Sequence, residues 1–227
     1  MLRLNAYDFD ETFTFVRQGL AEEGGSEGRV FTISGFIVGK GTVEEIGDEL
    51  DAILDAASGG DGVVSLSLRT GREFLVSRTD FTRRTSAEEL VGGFTFELEA
   101  SDPFEFAISE TSVNWGVTQS GGTTEVSAAG NVHSKARITL VASGNVVNPS
   151  FSDGVRTISY SGTISDGESL VFNGADETVT LEGEDAVAYV SGDFPVIEPG
   201  GTTLTYVDDA SSSHTGSVTV GFKDRWL

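Results

Sequence analysis

Residues Val43 to Ala57 form the one stretch of this chain with a helical repeat, and strand-like segments flank it on both sides. Val43, Ile46, Leu50, Ile53, Leu54 and Ala57 recur at three- and four-residue steps, which puts them on one stripe of a 3.6-residue helix. Glu44, Glu45, Asp48, Glu49, Asp51 and Asp55 take the other faces. Thr42 with Glu45 makes a capping box, and Ser58-Gly59-Gly60 supplies glycines for a left-handed exit. A lone amphipathic helix buries only one stripe, so it must lie on a sheet built from the flanking segments.

Composition carries that inference over the whole chain. The 227 residues are 38% hydrophobic, enough for a real core, with 29 Gly and 4 Pro. One helical pattern among so many glycines predicts a mainly β protein of one large or two ordinary domains. Cysteine is absent, which removes disulfides, thiol nucleophiles and thiolate metal sites. No stretch of eighteen apolar residues and no apolar leader occurs, so a soluble, non-exported chain without membrane insertion is expected.

Thirty-six acidic residues against fourteen basic ones give a formal charge of −22, and the only lysines are Lys40, Lys135 and Lys223. The acids are spread over both halves. That distribution fits a halophilic surface: in molar salt the Debye length falls to about 3 Å and self-repulsion is screened. Nucleic-acid binding by phosphate neutralisation needs a basic stripe, which this chain lacks.

Leu2 to Val16 reads as strand material around a turn at Asp8-Phe9-Asp10-Glu11, and Arg17 to Arg29 as a Gly- and Glu-rich loop. Arg29 to Val38 is a strand, Val63 to Arg69 and Arg72 to Thr79 a hairpin, and Phe94, Phe96 and Leu98 alternate with polar residues. Asp102-Pro103 ends this unit. We expect an N-terminal domain over 1–115, a Gly-, Ser- and Thr-rich linker over 116–130, and a second domain over 131–227. That domain shows short strands at even spacing: Ala136 to Ala142, Val155 to Tyr160, Ser169 to Phe172, Thr178 to Leu181, Ala186 to Val190, Thr203 to Val207 and Ser217 to Phe222. This spacing predicts a β-sandwich, an architecture shared by jelly rolls and galectin-like domains.

Chemistry-bearing motifs fail on context. Gly24-Gly25-Ser26-Glu27-Gly28 matches G-x-S-x-G as text, but a nucleophile elbow needs a buried strand before it, a helix after it and a histidine partner. Gly39-Lys40-Gly41 precedes the helix, yet Glu44 and Glu45 would stand where a pyrophosphate should sit, and Lys40 is not followed by Ser or Thr. His133 and His214 have no metal-ligand spacing, and Glu182 with Glu184 is the kind of pair an acid-rich chain contains by chance. We therefore expect no catalytic residues, no metal and no cofactor. Arg78, Arg83 and Arg84 stand out differently: three arginines within seven residues of an acidic domain either balance local charge at a strand end or form half of an intersubunit contact. Phe36 joins them as a candidate contact residue.

The order of these elements resembles the distal tail protein (Dit) family of long-tailed viruses. The resemblance rests on Arg29-Val30-Phe31-Thr32-Ile33-Ser34-Gly35, the helix with Leu50 and Leu54, and Gly71-Arg72 in the hairpin. It continues through Phe94-x-Phe96-x-Leu98 into Asp102-Pro103-Phe104, Gly130-Asn131, Asn148-Pro149 and Phe194-Pro195-x-Ile197-x-Pro199-Gly200, and ends on Val220-x-Phe222-Lys223-Asp224-Arg225-Trp226-Leu227. The region Phe104-Glu105-Phe106 and the acidic loop Arg17 to Gly28 depart from the family pattern.

This resemblance implies a structural virion protein at the tail tip, assembled in the host cytoplasm. Its N-terminal domain would close a homohexameric ring between the tail tube protein and the hub or baseplate protein, and DNA would pass through the lumen. A galectin-like C-terminal domain would face outward towards fibres or receptor-binding proteins. With the acid excess, the chain looks like the version from a virus of halophilic archaea. Ring closure would suit an unpaired sheet edge near Arg29 to Val38 or Phe94 to Ala100. The rival from another class is a monomeric galectin-like carbohydrate-binding module, for which Tyr160, Tyr189, Tyr206 and Trp226 are the candidate sugar-facing aromatics.

Overall fold

The structure, a computed structural model, describes residues 2–9, 19–25, 28–59 and 62–227. It is mainly β, with 55% of residues in strands and one α-helix. The chain divides into two compact units, Met1–Ile108 with Leu227, and Ser109–Trp226.

The first unit contains β1 (Arg3–Leu4), β2 (Tyr7–Asp8), β3 (Gly19–Gly25), β4 (Gly28–Ile37), α1 (Val43–Ala56), β5 (Val63–Arg69), β6 (Arg72–Ser86), β7 (Val91–Ala100) and β8 (Glu105–Ala107). The strands lie antiparallel in the order β2-β1-β5-β6-β7-β4-β3, and β8 pairs with Arg72 and Glu73 of β6. Alternation decides which side is covered. Phe31, Ile33 and Ile37 of β4 and Phe94, Phe96 and Leu98 of β7 are buried on one face, where α1 lays down Ile46, Leu50 and Ile53. Each such side chain contributes about 1.5–3 kcal/mol of transfer free energy. Thr42 caps α1 as its sequence predicts: Glu45 N donates to Thr42 Oγ1 at 3.2 Å, and Thr42 N donates to Glu45 Oε2 at 3.1 Å. Gly59, with φ +51°, supplies the left-handed exit.

Three local expectations for this unit change. The first turn falls between Leu4 and Tyr7, ahead of the acidic Asp8 to Glu11 stretch, whose Asp10 and Glu11 lie outside the described residues. Part of the expected loop is strand β3, which pairs with β4 through Gly25↔Gly28. Of the G-x-S-x-G string, Gly24, Gly25 and Gly28 therefore belong to a hairpin, and Ser26 and Glu27 lie outside the described residues. Finally, β6 runs on to Ser86 with a register shift between Arg78 and Asp80, so the arginine-rich segment is strand rather than a connection. The bulge adds one residue to β6 and reverses which side chains face the helix beyond it.

The second unit is a sandwich of two antiparallel sheets. One runs Glu184–Asp185, Thr178–Leu181, Ser169–Asn173, Arg137–Ala142, Gly216–Phe222, Thr111–Val117; the other Thr123–Val126, Thr202–Val207, Ser150–Ser152, Thr157–Tyr160, Val190–Gly192. Leu140, Phe172 and Val218 of the first sheet and Phe151, Ile158 and Tyr206 of the second share one core, and the Phe151 and Phe172 rings meet edge to face at 5.9 Å. The expected linker 116–130 is not one. Thr111–Val117 pairs along its length with Gly216–Phe222, and Thr123–Val126 with Thr202–Val207, so both belong to the sandwich despite their Gly- and Thr-rich composition. The expected strand at Ala186 to Val190 is a 3-10 turn, Val187–Tyr189, followed by the short strand Val190–Gly192.

Candidate assembly surface

The four candidate residues do not form one cluster. Phe36 of β4, Gly93 of β7 and Arg84 of β6 share a cross-strand row on the face away from α1, and the Phe36 ring lies 3.7 Å from where a Gly93 Cβ would stand. Arg83 is on the helix face, where it forms an ion pair with Asp51 of α1. Arg78 registers with Leu98 on that same side, just before the bulge. Arg83 is thereby accounted for by local charge balance. Arg78 and Arg84 have no hydrogen-bond or ion partner among the described residues.

The open face carries Thr32, Ser34, Thr82 and Thr95 beside Asp80, Glu97 and Glu99, with Arg84 and the half-exposed Phe36 at one end. Ser34, Phe36, Thr82, Arg84, Gly93 and Thr95 line an open cavity of about 610 Å³. It is a hydroxyl- and carboxylate-bearing wall.

The edges differ from expectation. Both stretches expected to be unpaired are interior: β4 lies between β7 and β3, and β7 between β6 and β4. The strand order ends at the two-residue strand β2 and at β3, whose sequence includes Glu22 and Glu23, and the distal half of β6 is a further open flank because its pairing with β5 stops at Ser77. Beyond Ser77, that flank of β6 has no strand partner among the described residues, and it carries Arg78, Arg83 and Arg84. Sequence reading missed β3 because its Gly- and Glu-rich composition resembles a loop; its partner strand is the signal that identifies it.

Other ionisable groups serve the scaffold. Glu49 of α1 accepts from Lys40 Nζ at 2.8 Å and from the Tyr7 hydroxyl, tying β2 and the β4–α1 loop to the helix. Buried Glu105 is bridged by Arg69 at 3.1 Å and Arg72 at 3.5 Å. In the second unit Asp208 is held by the Tyr206 hydroxyl and by His214 Nδ1, each at 2.8 Å, and burial followed by the Asp208 hydrogen bond pushes the Tyr206 phenol upward. The neighbouring Ser211, Ser212 and Ser213 hydroxyls donate elsewhere, to Asp209, Val147 O and Ser143 O. Of the aromatics the carbohydrate-module rival requires, Tyr206 and Tyr160 are buried, and Tyr189 is exposed. Among the described residues no group of His, Cys, Asp or Glu gathers as for a metal ion, and no helix is long and apolar enough to cross a membrane.

The chain is thus two β units in sequence, the first a helix-backed sheet with open strand edges among the described residues and the second a sandwich. Residues 129–226 match the SPP1 Dit family model, described as the siphovirus-type tail component, C-terminal domain. Over its full length the chain has the fold of the Dit (gp 19.1) protein of phage SPP1, with a TM-score of 0.69 at 14% identity, covering 100% of this chain and 98% of that one. The SPP1 protein is described as a paradigm of the hub adsorption apparatus in phages that infect Gram-positive bacteria. No curated protein matches the chain by sequence.

Proposed function

We propose that this protein is a structural component of a long-tailed virion, a distal tail protein whose first unit closes a ring at the end of the tail tube. Its partners are further copies of itself, the tube protein and the hub or baseplate protein. The second unit is a galectin-like outer domain that meets fibres or receptor-binding proteins. The observation that carries the ring is the pair of unlike edges on one sheet. An acidic-sequence strand, β3, ends it on one side, and on the other the arginine-bearing part of β6 beyond Ser77 extends past β5 and has no strand partner there among the described residues. Joining the first edge of one copy to the second edge of the next is a head-to-tail contact, the kind that closes a ring when its rotation permits. Six copies is the number the family resemblance implies.

The open face then lines the channel. Its Asp80, Glu97 and Glu99 oppose the DNA backbone and offer it no counter-charge, so the polymer passes without adhering. We read the charge of −22 as adaptation to multimolar salt, the setting of a virus of halophilic archaea. The test is the oligomeric state of the full chain in multimolar KCl, by light scattering and electron microscopy of negatively stained particles. Rings support the proposal, and a protein that stays monomeric at every accessible concentration overturns it.

A further inference from the structure

A second cavity, of about 370 Å³, opens in the sandwich and is lined by His133, Lys135, Arg156, Glu177, Asp193 and Phe194 among others. Its cations are unusual in a chain this acidic. Five described basic side chains elsewhere have carboxylate partners: Lys40 takes Glu49, Arg69 and Arg72 take Glu105, Arg83 takes Asp51, and Arg137 takes Glu110. Lys135 has no partner among the described residues, and neither does the His133 ring, whereas the other imidazole, His214, is held by Asp208. An unpaired lysine and an unpaired imidazole therefore line the same cavity.

The third cation is held in place. Asp153, its carboxylate 3% exposed, binds Arg156 Nη1 at 3.2 Å and accepts from Val196 N at 3.0 Å, so one buried acid fixes both the guanidinium and the loop that carries Phe194. Two glycines let that loop come close. A Cβ at Gly192 would stand 2.0 Å from Thr157 O, and one at Gly174 2.9 Å from Ala136 O. The opposite chemistry is also present: Glu177 and Asp193 are exposed and unpartnered among the described residues, and half-buried Phe194 offers an apolar wall. Sites of this size that combine an apolar wall with a few placed polar groups bind small ligands.

We propose that this cavity binds an acidic sugar residue, a pyranose ring bearing a carboxylate, as part of a glycan. Lys135 and His133 receive the carboxylate, and Arg156, already paired with Asp153 and Glu198, offers a remaining N–H donor rather than net charge. Glu177 and Asp193 accept hydroxyl protons, and Phe194 packs on the C–H face of the ring. A bare anion would leave the two acids and the ring idle, and a neutral sugar would leave Lys135 unpaired. The inference stands apart from the ring proposal, since it concerns residues of the second unit alone.

Isothermal titration calorimetry of the full chain in multimolar KCl tests it, with galacturonate and glucuronate as probes against galactose, glucose and acetate. A uronate is expected to bind about tenfold or more tightly than acetate or either neutral sugar. Lys135→Ala is expected to weaken uronate binding about tenfold or more, the scale of one charge-assisted hydrogen bond, with Tm unchanged and with Lys135→Arg retaining binding. Lys135 is exposed, so the variant folds. No uronate binding, acetate binding as tightly as the uronate, indifference to Lys135→Ala, or tighter binding of an acidic peptide would each overturn the proposal.

Discussion

Gly92 and Ile46 occupy space that only a glycine leaves open: a Cβ at Gly92 would stand 2.5 Å from Ile46 Cγ2, in the seam where α1 crosses β7. Gly93, the next residue, faces the other side of the sheet, and its Cβ would meet the Phe36 ring at an ordinary 3.7 Å. Adjacent glycines thus have unlike roles. Gly92→Ala is expected to destabilise the first unit by about 1–3 kcal/mol through overpacking. Gly93→Ala is expected to be neutral or to stabilise by up to about 1 kcal/mol, because an unstrained side chain lowers the entropy of the unfolded strand. Urea unfolding followed by circular dichroism separates the two.

Glu49 predicts an acid-sensitive latch. Burial alone would raise its carboxyl, yet the hydrogen bonds from Lys40 and Tyr7 and the Lys40 charge hold it below its ordinary 4.5. The unfolded chain therefore binds this proton more readily than the folded one. The contribution to stability is complete above about pH 4.5 and is lost as pH falls through the lower folded value. Glu49→Gln should lower stability at neutral pH and flatten the acid limb of the stability profile relative to wild type. An acid limb identical in both proteins would show that Glu49 contributes nothing to it.

Asp153 makes the same prediction for the sandwich. Burial would raise its carboxyl, but the backbone N–H groups of Arg156, Val196 and Val155 and the Arg156 guanidinium hold it below its ordinary 3.8. Its stabilisation is likewise present above about pH 3.8 and lost as pH drops through the lower folded value. Asp153→Asn removes a buried charge from four donors, and we expect a cost of about 3 kcal/mol. Thermal unfolding at neutral pH checks it, and the difference from wild type should shrink on acidification.

Charge reversal tests the proposed contact. Arg78→Glu with Arg84→Glu should convert rings to monomers without loss of circular dichroism signal, because both side chains are exposed and without partners among the described residues. Adding Glu22→Arg and Glu23→Arg should restore assembly. Sedimentation velocity reads both outcomes, and rings that persist in the first variant would refute the edge pairing.

Salt gives a last check. A net charge of −22 repels itself more strongly as the Debye length grows from about 3 Å at 1 M towards 30 Å at 10 mM. Dilution from multimolar KCl should first dissociate the assembly and then unfold the chain. A circular dichroism spectrum unchanged in water would remove the halophilic interpretation of the acid excess.

Local pattern made α1 legible, because a capping box, an apolar stripe and a glycine exit all fall within one short window. Most strands of the sandwich were legible for the same reason. What stayed hidden depends on distant partners. Thr111–Val117 reads as part of a connection until Gly216–Phe222, at the other end of the unit, pairs with it. Composition alone makes β3 a loop, and only its register with β4 makes it a strand. Within the site, the sequence singled out the arginines but could not assign them to faces. Arg83 meets Asp51 only because the bulge in β6 turns it towards the helix.

That bulge gives β6 one residue more than its partner strand needs. Arg78 and Asp80 register with Leu98 and Glu97, consecutive residues of β7, so deleting Thr79 alone would straighten the strand and leave every later pair and face unchanged. Deleting Thr82 would instead swap the two faces from there on, turning Arg83 to the open face and Arg84 towards the helix. A one-residue deletion in β6 should therefore be tolerated at the spare position and costly beyond it.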